Sequence, residues 1–157
     1  MLPVTILSVT GVIIATSDTV PQVLLARRGR QTRSYPGMWE FAPAGGLGEP
    51  QSPTFGIEGV LPTLAAELNE EVGIADPLCD QRTIGLVVDP HARSVDIVIR
   101  AEVANGLPSL RTDGAHAWEC IDARWVPIQE FEQETAQFEG GVIEPTLAIA
   151  RHLGWHR

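Results

Sequence analysis

Residues 61–72 constrain the fold more than any other stretch. Leu61, Leu64, Ala65, Leu68 and Val72 recur at the spacing that lines them along one side of an α-helix. Pro62 suits a first helical turn, and Gly73 suits a stop. A short helix with one apolar stripe is stable only when that stripe is buried against another layer. The flanking sequence supplies one. Residues 4–15 and 20–26, rich in β-branched and apolar side chains, predict two strands, and 39–41 a short third. Pro43-Ala44-Gly45-Gly46 then predicts a sharp turn. Residues 48–59, with Pro50, Ser52 and Pro53, predict a loop. Residues 83–89 and 94–103 predict a hairpin over Pro90-His91-Ala92-Arg93, with Val95, Ile97, Ile99, Ala101 and Val103 alternating along its second arm. A long turn-rich connection over 104–123 leads to a strand at 124–128. A closing helix over 145–153 follows Gly140-Gly141. Strands, helix, strands, helix is the order of an α+β domain: a mixed sheet with helices packed on it. The 157 residues are enough for one such domain, expected to span 1–157.

Charge narrows the range of partners. The net charge is −9, which disfavours nonspecific binding to nucleic acid, because phosphate contacts need cationic side chains; the absence of lysine carries little functional meaning of its own. Against that background Arg27, Arg28, Arg30 and Arg33 form a local positive segment, with no acidic residue between Asp18 and Glu40. Guanidinium forks suit phosphate oxygens, so Arg27 and Arg28 are candidate substrate contacts; a solvated loop that balances net charge is the plain alternative. Trp39 and Phe41 stand at strand spacing and are candidates for stacking on a base or ribose, with burial in a core as their alternative. Cys79 and Cys120 form no CxxC pair and no zinc spacing. They are expected to be small buried hydrophobes in a reducing cytoplasm. His91, His116, His152 and His156 show no ligand spacing and are expected at the surface or in turns. The apolar N-terminus has no basic residue ahead of it and reads as a strand, not a signal peptide. No run reaches the roughly 18 apolar residues of a membrane span. A homodimer is compatible with this composition.

Glu67, Glu70 and Glu71 fall at i, i+3 and i+4 of the predicted helix, within an arc of about 100° opposite the leucines. A solvated acidic face accounts for them cheaply, since like-charge pairs at this spacing cost only about 0.2–0.5 kcal/mol each. A hard cation such as Mg²⁺ or Mn²⁺ is the other account, because it takes oxygen ligands and relieves the repulsion.

The surrounding residues favour the second. Glu67-Leu68-Asn69-Glu70-Glu71-Val72-Gly73-Ile74, with Glu58 upstream and Trp39-Glu40-Phe41-Ala42-Pro43-Ala44-Gly45-Gly46 before it, resembles the motif of the Nudix hydrolase family, G-x5-E-x7-R-E-U-x-E-E-x-G-U, where U is a bulky aliphatic residue. The resemblance implies an α/β/α sandwich: a mixed sheet with helices on both sides. It also implies Mg²⁺- or Mn²⁺-dependent hydrolysis of a diphosphate linkage in a small nucleotide-like substrate. Glu58, Glu67, Glu70 and Glu71 are then the metal ligands, Glu70 or Glu71 serving partly as base. Glu119, ahead of Asp122, is the late catalytic carboxylate, and Gly45 and Gly46 adjoin the substrate. The entry segment and Pro90 look like those of members that cleave ADP-ribose, which slightly favours ADP-ribose or nucleotide sugars over nucleoside triphosphates.

Two positions depart from the motif. Its first Gly falls on Ser52, the loop after Gly45-Gly46 being about six residues longer, with Glu49 available for part of its acidic role. Its Arg, which orients carboxylates, falls on Ala66. Either another residue substitutes, an arginine of the basic segment among the candidates, or turnover is weakened. A nucleotide-sensing module that binds without cleaving is the alternative function.

Overall fold

The structure is a computed structural model that describes residues 6–48 and 57–157, with side chains in the second segment from residue 59 onward. Its elements run β1 (Ile6–Ser17), β2 (Val20–Arg28), β3 (Trp39–Phe41), β4 (Ala44–Gly46), α1 (Ile57–Val72), β5 (Leu78–Asp89), β6 (Ser94–Val103), β7 (Cys120–Pro127), α2 (Phe131–Thr135) and α3 (Glu144–His152).

Strand β1 is the axis of a mixed sheet. It runs parallel to β6 from Ile6↔Ser94 to Ile14↔Glu102. Along its other edge it changes partner: Ser8–Thr10 pair with β4, and Ile14–Ser17 pair with β2, both antiparallel. Strand β2 then leaves β1 and pairs with β3 and with β7. The result is a fork between β1 and β2, with β4 seated in its mouth. Strand β5 closes the opposite edge against β6.

Both faces of β1 are covered, so every residue from 9 to 15 is buried. Val9, Ile13 and Ala15 point into one core with Leu24, Ala26, Ile99, Ala101 and the α1 stripe. Val12 points into the other with Val23, Leu25, Phe41, Phe131 and Ile149 of α3. Alternation along the strands thus feeds two cores, one per helix layer, and the expected α/β/α sandwich is what the chain adopts. Among the described residues no helix is long and apolar enough to cross a membrane.

The expectations differ from the structure where local pattern is weak. Helix α1 starts at Ile57, so residues 57–59 are helical rather than loop and Pro62 lies inside the helix. Its buried stripe is Val60, Leu64, Leu68 and Val72, while Ala65 is exposed. The extra first turn rotates the contact line to strict four-residue steps. Gly73, with φ +74, ends the helix in the left-handed region that β-carbon sterics close to most residues. Residues 44–46 form β4 rather than a turn, because small side chains let the backbone lie close against β1. Strands β5 and β7 begin earlier than their apolar alternation does, and α2 carries no periodic signal long enough to predict it. Cys120 is buried as expected, its thiol pushed up to about 12 mainly by burial, but Cys79 is exposed on the edge strand.

Candidate active site

Helix α1 and the mouth of the fork build the site together. The stripe that seats α1 on the sheet leaves Glu67, Glu70 and Glu71 on its other flank, and β4 lies beside them. The Ala44 backbone N–H donates to Glu71 Oε1 at 3.2 Å. Gly45 faces Glu67 so closely that a β-carbon there would stand 2.5 Å from Oε1 and 2.7 Å from Cγ of that carboxylate. The absence of a side chain at Gly45 is therefore what admits Glu67 to the fork.

Two further carboxylates converge from other elements. Strand alternation sends Trp39 and Phe41 into the α3 core and turns Glu40 to the α1 face, where Arg28 Nη1 donates to its Oε1 at 2.5 Å. Glu119, just ahead of β7, reaches the same cleft as Glu71 and Glu40. His116 stands between two acids, with Nε2 3.7 Å from Glu70 Oε2 and Nδ1 3.7 Å from Glu119 Oε1.

Burial raises the Glu71 carboxyl well above its ordinary range. Repulsion from Glu40, Glu67 and Glu119 adds to that, and the Ala44 N–H offsets part of it. Glu67 is raised in the same direction by burial and then by Glu70 and Glu119, with His116 pulling back. Burial also raises Glu40 against the pull of Arg28. Among the described residues no arginine pairs with Glu67, Glu70 or Glu71, so the basic segment does not stand in for the guanidinium missing at Ala66; the basic side chain that approaches these three is the His116 imidazole, on Glu70.

The donor set suits a hard divalent cation. It is all carboxylate oxygen, unneutralised by arginine, and two of its members carry a desolvation cost that a cation would relieve. The Glu58 side chain lies outside the described residues, as do Glu49 and Ser52. Among the described residues no three acidic, histidine or cysteine groups stand close enough together to hold a metal ion as placed, so these carboxylates would have to move to ligate one.

A pH dependence follows. Glu71 and Glu67 bind a proton more tightly folded than unfolded. Their contribution to stability is therefore full below the ordinary value of 4.5 and is lost as pH rises through their raised pKa. The metal-free protein should melt at falling temperature as pH rises above about 5, with Mg²⁺ restoring more at pH 8 than at pH 5. Melting curves across that range, with and without Mg²⁺, test this; parallel curves would remove these carboxyls from the cation site.

Two cavities open from the fork. One, of about 270 Å³, lies between the basic segment and Glu71, Trp118, Glu119 and Cys120. The other, of about 250 Å³, is lined by Ser8, Thr10, Tyr35, Asp96, Gly45 and Gly46 among others. Arg28, Arg33, Glu40 and Ala44 border both.

The remaining expected site residues divide. Trp39 and Phe41 are 2% and 0% exposed and belong to the core, so neither can stack on a ligand. Arg27 lies at the rim of the first cavity, but alternation turns its guanidinium to the far face, where Nε donates to the Gly37 carbonyl at 2.9 Å and Nη1 pairs with Glu139 at 3.3 Å. Arg28 lines both cavities but is engaged by Glu40 and by the Ser34 carbonyl, at 2.8 Å. Asp122 is occupied locally by Ala123 N and Arg124. Sequence reasoning missed Arg33, Glu40, His116 and Trp118. Glu40 was detectable, since an acid between two buried aromatics on one strand must face the other way. The aromatic at the cleft is Trp118, 55% exposed, in a turn without periodicity.

The family model described as NUDIX domain matches residues 6–145. Among solved structures, the NUDIX domain of Shewanella oneidensis NrtR, crystallised with ADP ribose, aligns with a TM-score of 0.64 at 19% identity, covering 95% of this chain and 86% of that one. A NUDIX hydrolase from Alicyclobacillus acidocaldarius aligns at 0.64 and 19%, over 94% and 90% of the two chains. A MutT protein from Methanosarcina mazei Go1 aligns at 0.56 and 25%, over 80% and 79%. A search of curated proteins found no match.

Proposed function

Because the chain belongs to the NUDIX domain family, we propose that it hydrolyses the diphosphate linkage of a small nucleoside diphosphate derivative, with Mg²⁺ or Mn²⁺ held by Glu67, Glu70, Glu71 and Glu58. The observation that carries this reading is the convergence of Glu71 and Glu119 on a cavity bordered by Arg28 and Arg33, with Glu67 and Glu70 on the same helix as Glu71 and, among the described residues, no arginine paired with any of these four.

A divalent cation there would neutralise the diphosphate and make bound water more acidic. The chain's own groups do the rest. Ala44 N–H fixes the Glu71 carboxylate, and Gly45 leaves room for that of Glu67. The water oxygen bonds to one phosphorus as a bridging P–O bond breaks. The water's proton passes to Glu119 Oε1, which His116 Nδ1 faces at 3.7 Å. Trp118 offers a face for a nucleobase at the mouth of the first cavity. Two cavities suit a diphosphate substituted at both ends, which favours nucleotide sugars such as ADP-ribose over nucleoside triphosphates.

Arg33 is the guanidinium best placed for the diphosphate. It is exposed, borders both cavities, and pairs with no carboxylate among the described residues. Arg33→Ala should raise KM about tenfold or more, the worth of a charge-assisted hydrogen bond, with kcat little changed. Arg27→Ala should instead lower the melting temperature. Steady-state kinetics and melting curves of the two variants separate these outcomes.

The alternative, binding without cleavage, draws on Ala66, since no arginine orients the helix carboxylates. A panel of ADP-ribose, ADP-glucose and nucleoside triphosphates with Mg²⁺ and Mn²⁺, read by product identity, decides between them. Saturable binding without nucleotide product would establish the sensor.

A further inference from the structure

The second cavity has a floor whose chemistry the diphosphate does not use. Ser8 and Thr10 of β1 and Asp96 of β6 meet there across the parallel pairing. The Ser8 hydroxyl donates to Asp96 Oδ1, and Thr10 Oγ1 donates to Oδ2 at 3.4 Å. An ionised carboxylate accepts about four hydrogen bonds, so Asp96 retains acceptor sites after these two. The cavity wall adds Tyr35, but its hydroxyl is committed to Asp89 Oδ1 at 2.9 Å and its ring lies 4.6 Å from that of His91. Among the described residues the lobe thus offers a single aromatic ring, engaged at its hydroxyl and on one side. Beside it lies a carboxylate held by two hydroxyls, with Arg28 and Arg33 where the lobe meets the carboxylate site.

We propose that this lobe is a subsite for the hydroxyl-rich group on the far side of the diphosphate, a pentose or hexose, and that Asp96 is its specificity-determining residue. The inference rests on the proposed diphosphate chemistry for the orientation of the ligand. Two neighbouring sugar hydroxyls can donate to one carboxylate, the way an acidic side chain grips a ribose in dinucleotide-binding folds. Ser8 and Thr10 hold the carboxylate in one rotamer, so little side-chain freedom is lost when the sugar arrives.

Affinity measured by calorimetry tests this without relying on turnover. The probes are ADP-ribose and the β-methyl ester of ADP, which carries the same charge and no distal hydroxyl. The wild-type protein, with Ca²⁺ in place of Mg²⁺ to slow any hydrolysis, should prefer ADP-ribose by about ten- to a hundredfold, as hydrogen bonds to a charged acceptor require. Asp96→Asn should reduce that preference to about threefold or less while leaving the affinity for the methyl ester within about threefold. Equal binding of the two probes by the wild-type protein would overturn the proposal whether or not the variant folds. So would a preference that survives in Asp96→Asn. A preference for ADP-ribose with no product formed under Mg²⁺ would overturn the hydrolytic reading and leave the subsite standing.

Discussion

Glu71→Gln should lower Mg²⁺-dependent kcat/KM by about 10²–10³-fold, the usual cost of removing one electrostatic contact made in the transition state. The same substitution should stabilise the metal-free protein at pH 8. The amide keeps an oxygen to accept from Ala44 N–H and removes a carboxyl that burial and the Glu40, Glu67 and Glu119 charges all disfavour in ionised form. The stabilisation by Mg²⁺ should shrink as well. Opposite signs for activity and metal-free stability are the diagnostic result. A variant that loses both has lost a structural residue, and one that keeps its turnover removes Glu71 from the chemistry. Kinetics paired with melting curves at pH 8, with and without Mg²⁺, provide the comparison.

Gly45→Ala should cost about a hundredfold in turnover without unfolding the protein. The new methyl group would occupy the space of the Glu67 side chain, and a displacement of the order of 1 Å at a reacting centre has that effect. Strand β4 itself tolerates alanine, since Gly45 does not have a positive φ. Gly48→Ala is the control: among the described residues a β-carbon there would meet nothing within 4 Å, and its kinetics should match the wild type. If Gly45→Ala also matches, Glu67 has room to work elsewhere, and its closeness to β4 is incidental.

Much of the fold was legible because two periodicities carry it. The apolar spacing of α1 and the alternation along β6 appear in sequence closely enough that the helix, the hairpin and the mixed sheet followed directly, although Val60 joins the buried stripe and Ala65 leaves it. The helix glutamates were legible as a cluster at one helical spacing, although Glu67 and Glu71 lie at the edge of the stripe, against β4. The rest of the site is nonlocal. Arg27 and Arg28 look equivalent as neighbours, but alternation puts one guanidinium against Glu139 and the other at the cleft. Trp39 and Phe41 look like a stacking pair, but the β2–β3 register turns both into the core. His116, Trp118 and Glu119 come from a connection whose course is set by backbone contacts such as Gly29 N to the Glu119 carbonyl at 2.7 Å. No sequence pattern encodes that contact. A β-carbon at Gly29 would overlap the Trp118 carbonyl, so glycine there is a geometric requirement that becomes visible only once the two loops are side by side.

The alignment of β1 with β6 ties ligand choice to the hydrophobic layers. Ser8 and Thr10 face one side of the sheet because Val9 and Ile13 face the other, and all four are placed by the same ladder with β6. A slip of one residue would carry hydroxyls into an apolar layer and valine toward the ligand. Selectivity in this chain can therefore drift through side-chain replacement at positions 8, 10 and 96, but not through insertions or deletions inside β1, because any such change would dismantle both layers before it could reshape the pocket.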